Sequence, residues 1–185
     1  MGLTASAAVG VVEKVIVFAM LPPTAFASAI AVMTAQNMGA GKIERAQKSL
    51  YGGIACSLVI GIAFCIYSQI SPESITSLFS NDKEVIYTAA MYLRSYSIDC
   101  ILVCFIFCMN SFFSGCGHPV FPMVHSLIAT FLIRIPVSFA LSRMKGITLF
   151  EIGFGAPLAT FVSLIMCIIY MRYGNWKKNT MLKNR

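Results

Sequence analysis

Five long apolar runs, separated by short stretches that hold most of the charged residues, set the pattern of this chain. The first extends from about Leu3 to Ala35 and is interrupted only by Glu13-Lys14 and Pro22-Pro23. As a helix rising 1.5 Å per residue it exceeds the ~20 residues that cross a bilayer, so it must tilt, kink or protrude. The proline pair, which lacks two backbone donors, is the expected kink. A polar and basic island follows, QNMGAGKIERAQK from Gln36 to Lys48. Gly39 and Gly41 within it can take the left-handed conformation that ends a helix. The second run covers about Ala46 to Ile70, opens on the Glu44/Lys48 pair at i,i+4 and stops before Ser71-Pro72.

The connection from Ser71 to Glu84 carries Glu73, Asp82 and Glu84 against Lys83. Ile75, Leu78 and Phe79 recur there at helical spacing, which predicts a short amphipathic helix lying in the interface. The third run, about Val85 to Phe113, contains Arg94 and Asp99. A Gly-rich turn, Ser114 to Pro119, leads into the fourth, about Phe121 to Met144, with Arg134 close to Pro136. After a break at Arg143, Lys145 and Gly146, the fifth covers about Leu149 to Met171. The prediction is an all-α, polytopic membrane helix bundle of about five transmembrane helices over residues 1–171, followed by a basic tail, residues 172–185.

Composition strengthens that reading. Hydrophobic residues make up 58% and charged residues 11% of the chain, against about 25% charged in a soluble domain. The net charge of +7 acts first as a topology signal. Lys42, Arg45 and Lys48 on one side, and a tail with five basic residues and no acid on the other, place both segments in the cytoplasm of a multi-pass plasma-membrane protein. The amino terminus then starts outside, and Arg143 and Lys145 are the one external exception. An odd helix count and an abrupt apolar opening predict that more sequence precedes Met1.

No basic patch is interleaved with aromatics on a soluble fold, so nucleic acid is not an expected partner. Cys56, Cys65, Cys100, Cys104, Cys108 and Cys167 fall inside apolar runs and read as small buried hydrophobes. Cys116, in SGCGHP, has no C-x-x-C or histidine at metal-ligand spacing. The enzyme signatures H-E-x-x-H, G-x-S-x-G and paired aspartates are missing, and no cofactor is expected.

Ionisable residues at bilayer depth are costly, which makes them candidates for function. Glu13 lies about ten residues into the first helix. Asp99 lies halfway along the third, with Ser95 and Val103 on its face. The competing reading is structural, with Glu13 paired to a cation on another helix and Asp99 bridged to Arg94 or Arg134. Tyr92, Tyr96 and Phe105 are candidates for an aromatic cavity lining, although aromatics at this spacing also serve packing.

Three stretches carry a family resemblance: Gly2 to Ala46 with its QNMGAG, FFSGCGHPVFPMV, and IRIPVSFAL. In this order they resemble the multidrug and toxic compound extrusion (MATE) transporters. The first is similar to that family's small-residue helix, proline and Q-N-x-G-A-G pattern. The resemblance implies helices 8–12 of a twelve-helix, two-lobe transporter, so that an amino-terminal lobe and one helix would be the missing partners. It implies export of cationic or amphipathic compounds in exchange for Na+ or H+, by alternating access around a central cavity. Family members often carry an acid on the first of these helices and, in some subgroups, a sodium- or cation-binding acid on the third. Glu13 and Asp99 are therefore the ion or substrate candidates, with Na+ at Asp99 as the implied metal. Gln36, Asn37, Gly39, Gly41, Pro22 and Pro23 are implied to be motif and structural residues. Two other readings remain: a lipid-linked sugar flippase of the same superfamily, for which Arg94 and Arg134 speak, and a membrane scaffold or partner subunit that does not transport.

Overall fold

Apolar runs in a bilayer must close every backbone hydrogen bond, and helices do so internally. The computed structural model describes residues 3–143 and 155–177, and each expected run is helical there. Helix α1 spans Leu3–Gly39, α2 Ile43–Ile70, α3 Pro72–Thr76 and α4 Lys83–Gly115. Helix α5, Val120–Ile128, continues through a π-helical stretch, Ala129–Arg134, into α6, Ile135–Arg143, and α7 spans Gly155–Tyr173. With α5 to α6 taken as one, five helices among the described residues are long and apolar enough to cross a membrane. Lys145, Gly146, the expected start of the fifth helix before Gly155, and the tail beyond Lys177 lie outside the described residues.

Helix α1 runs unbroken through Pro22 and Pro23. Just past the prolines, the Thr24 hydroxyl donates to the Leu21 carbonyl at 2.8 Å and the Ser28 hydroxyl to the Thr24 carbonyl at 3.0 Å. The helix ends in a Schellman turn. Lys42 N–H donates to the Asn37 carbonyl at 2.8 Å and Gly41 N–H to the Met38 carbonyl at 3.1 Å. Gly41 has φ +70°, whereas Gly39 stays helical, so of the two expected glycines Gly41 alone takes the left-handed conformation. Gly41→Ala is expected to cost about 1 kcal/mol and to lower the yield of folded protein while leaving any ion dependence of transport unchanged. Thermal unfolding together with a transport assay checks both parts.

The π-helical stretch has a local cause. Pro136 lacks a donor, and its ring crowds the carbonyl one turn back. The preceding turn widens, and Ile135 N–H donates five residues back, to Thr130. Helix α3 is shorter than the expected amphipathic helix and is tucked against the bundle: Ile75 packs with Val85, Ala89 and Leu93, although Leu78 is 79% exposed.

Helix α4 is the axis of the bundle and packs most extensively on α1, then on α2 and α7. Two apolar clusters sit on it. One, near the acidic loop, joins Val11, Val12 and Val15 of α1 to Val85, Ala89 and Leu93. The other, near the basic end, gathers Ile30, Leu50, Met109, Phe112, Phe113 and Cys167. It also includes Trp176, whose ring lies 5.2 Å from that of Phe112 and whose Nε1 donates to the Met171 carbonyl at 2.7 Å. Packing therefore continues past residue 171, where the basic tail was expected to begin. Among the glycines of α2, Gly53 abuts the Ile30 side chain, and a Cβ on Gly61 would lie 2.7 Å from Cys104 Sγ, whereas Gly52 faces open space. Six of the seven cysteines are buried and Cys56 is exposed, which corrects the reading of all the run cysteines as buried. In the turn after α4, burial pushes the Cys116 thiol up to about 12, so it stays protonated at neutral pH.

Candidate functional site

The two apolar clusters leave a gap on α4 between Leu93 and Ile106, and Asp99 occupies it. Asp99 is the midpoint of α4, 16 residues from either end, or about 24 Å along the axis. It is 3% exposed, and Ser95 and Val103, one turn to either side, are buried with it. Oδ1 of Asp99 has no hydrogen-bond partner among the described residues. Two groups act on the carboxyl from other helices: the Thr160 hydroxyl of α7 and the Arg134 charge at the end of the π-helical stretch. Arg94 is exposed and, through its carbonyl, accepts a 2.8 Å hydrogen bond from Gln69 of α2.

The tyrosines join this group. The rings of Tyr92 and Tyr96 are 6.0 Å apart. Tyr96 lies within electrostatic reach of Asp99 and Arg134, and Tyr92 within reach of Arg134 and Glu13. Glu13 is on an exposed position of α1, near Tyr92. Tyr92 is seven positions before Asp99 on α4, about 10 Å nearer the acidic-loop end. The structure thus brings Glu13, Tyr92, Tyr96 and Asp99 into one column. Phe105 lines a separate groove with Leu50, Met109 and Arg172. Gln36, Asn37, Gly39 and Gly41 form the end of α1 and its turn, while Pro22 and Pro23 lie within the same helix.

Beginning one turn from Asp99, at Val103, is a cavity of about 140 Å³ between α4, α5, the π-helical stretch and α7; Asp99 itself is not among its lining residues. Its polar lining is Ser126, Thr130, Arg134, Thr160 and Ser163. That volume accommodates roughly four waters; its four hydroxyls are oxygen donors of the kind hard cations accept, whereas the Arg134 cation in the same lining opposes a second positive charge. A buried carboxylate with one oxygen unpartnered is costly, and binding a proton or a metal cation lowers the cost. Among the described residues no three His, Cys, Asp or Glu side chains cluster as a multidentate metal site, so a cation here would rest on one carboxylate and on hydroxyls.

Sequence reasoning did not find Thr160 and Ser163, although they share a face with Cys167 at i, i+3 and i+7. It also missed a second buried polar group. His125 Nε2 lies 2.8 Å from Asn110 Oδ1 and 3.5 Å from Cys167 Sγ, and it joins α4, α5 and α7. Nothing in the spacing of these three residues announces them.

The family model MatE matches residues 1–140. The probable multidrug resistance protein YoeA of Bacillus subtilis is 28% identical over 177 residues, covering 96% of this chain and 38% of its own length. Among solved structures, one described as the inward-facing conformation of a multidrug resistance MATE family transporter superposes with a TM-score of 0.82 at 17% identity, over 90% of this chain and 38% of that one. A MATE crystal structure in the bent conformation superposes with a TM-score of 0.86 at 16% identity, over 98% of this chain and 41% of that one. The chain therefore spans roughly two fifths of the length of these three proteins.

Proposed function

Since this chain belongs to the MatE family of membrane transporters, as the match to residues 1–140 shows, we propose that it forms the second lobe of an ion-coupled exporter of cationic or amphipathic compounds. In this reading the first lobe is supplied by sequence outside residues 1–185, and Na+ or H+ enters as the compound leaves. The basic end of the bundle faces the cytoplasm of a cell whose plasma membrane holds the protein. No step requires a cofactor.

The observation that carries the reading is Asp99, a carboxyl midway along a membrane-length helix with one oxygen unpartnered, one turn from a cavity whose polar lining is Ser126, Thr130, Thr160, Ser163 and Arg134. Such a group is neutralised by an entering ion and discharged by a change of its surroundings, which is what coupling requires. Tyr92 and Tyr96 extend from it toward Glu13, offering aromatic faces to a cation. One solved neighbour is described as inward-facing, a description that fits a carrier whose cavity opens to one side at a time.

The test is Glu13→Gln in the full-length protein, assayed for export of a cationic dye driven by an imposed Na+ or proton gradient. Loss of gradient-driven export with normal folded yield is expected. Export equal to wild type would remove Glu13 from the coupling path.

A further inference from the structure

Helices α1 and α2, joined by the Schellman turn, leave between them a groove of about 440 Å³. Its walls are Ile30, Met33, Gly52 and Gly53, and Arg45 and Lys48 stand among its lining. Both cations are exposed. No acidic residue lines the groove, and Glu44, one residue before Arg45, is outside it. Gly53 closes against Ile30, while a Cβ on Gly52 would meet nothing within 4 Å, so the space over Gly52 is open.

The dimensions match one leaflet. Arg45 is the third residue of α2 and Lys48 the sixth, which sets them at headgroup depth. Cys56, the farthest lining residue along α2, is eleven residues beyond Arg45, or about 16 Å along the axis. Half of a hydrocarbon core of about 30 Å is about 15 Å. A groove that is apolar over one leaflet's depth and doubly basic at the headgroup level has the chemistry that anionic lipids recognise between transmembrane helices.

We propose that this groove binds one anionic phospholipid of the leaflet at the basic end of the bundle, its phosphate on Arg45 and Lys48 and an acyl chain over Gly52 toward Cys56. The lipid ties α1 to α2 at the turn that joins them. This site is separate from the Asp99 column and does not depend on the coupling reading.

Cys56 is the natural reporter, because it lines the groove and is the one exposed cysteine of the seven. The full-length protein in detergent is titrated with phosphatidylglycerol or phosphatidylcholine, and maleimide labelling of the Cys56 peptide is followed by mass spectrometry. Phosphatidylglycerol is expected to slow labelling at concentrations where phosphatidylcholine does not. The Arg45→Gln/Lys48→Gln double variant is expected to lose about fivefold in apparent phosphatidylglycerol affinity for each cation removed. Gly52→Leu fills the open space and removes the protection. Should Gly52→Leu not fold, the charge variant decides alone.

Equal protection by the two lipids, or unchanged phosphatidylglycerol affinity in the charge variant, overturns the proposal. So does a Cys56 that resists labelling in lipid-free protein, since another part of the protein then covers the groove.

Discussion

Asparagine in place of Asp99 is expected to strip the ion dependence from export while leaving the protein folded. The substitution keeps shape and hydrogen-bonding capacity but removes the charge that binds a cation or proton. Coupling free energies between two sites are typically 1–3 kcal/mol, so the ratio of gradient-driven to undriven export should fall by roughly 5–150-fold. Because Oδ1 has no partner among the described residues, the amide nitrogen can take that place while the amide oxygen still accepts from the Thr160 hydroxyl, and thermal unfolding should stay near wild type. Vesicle assays with and without an imposed gradient, run beside unfolding curves, read both quantities. Loss of the folded protein would instead assign Asp99 a packing role with Thr160 and Arg134.

A second large effect is expected at Gly115, the last residue of α4, where the chain approaches α1 backbone to backbone. A Cβ there would lie 2.7 Å from the Ala31 carbonyl oxygen and 2.8 Å from Thr34 Cβ. A helix backbone cannot yield as a flexible side chain can, so Gly115→Val should cost about 1–3 kcal/mol through overpacking. The cost does not rely on the hydrophobic effect, which is weak between helices surrounded by lipid. Gly52→Ala, in open space, is the matched control and should change little. Wild-type unfolding of Gly115→Val would show that the α1–α4 contact is looser than described.

Helix ends were legible because their residues act locally. Gly41 supplies the positive φ that ends α1, whereas the Asp82 cap of α4, which accepts from Glu84 N–H at 2.9 Å, was read only as a loop charge. Asp99 was legible for a related reason, since one charge in the middle of an apolar run stands out whatever surrounds it. Which face of each helix is buried was not legible. In a bilayer the lipid-facing side is as apolar as the packed side, so periodicity carries little information. Cys56 faces outward and Cys65 inward, yet both sit in equally apolar sequence.

The same physics hid the lining of the site. Thr160 and Ser163 matter because α7 brings them to α4, a pairing that no local pattern encodes. The π-helical stretch that carries Arg134 toward Asp99 follows from Pro136 only when the preceding turn is seen to widen. Trp176 was obscured by its neighbours: it lies in a basic segment that reads as solvated tail, and only the Phe112 ring opposite shows that it folds back. Phe105 shares the apolar composition of Tyr92 and Tyr96, but its place on the helix turns it to another groove.

If the proposed exchange holds, an ion moves against the exported compound. The measurement that reads this holds the full-length protein in vesicles without any ion gradient, imposes a gradient of a cationic dye, and follows internal pH and tracer sodium. Dye movement is expected to drive one of the two ions in the opposite direction, and Asp99→Asn to abolish this ion flux. Dye movement with neither ion displaced, or ion flux unchanged by Asp99→Asn, would contradict it.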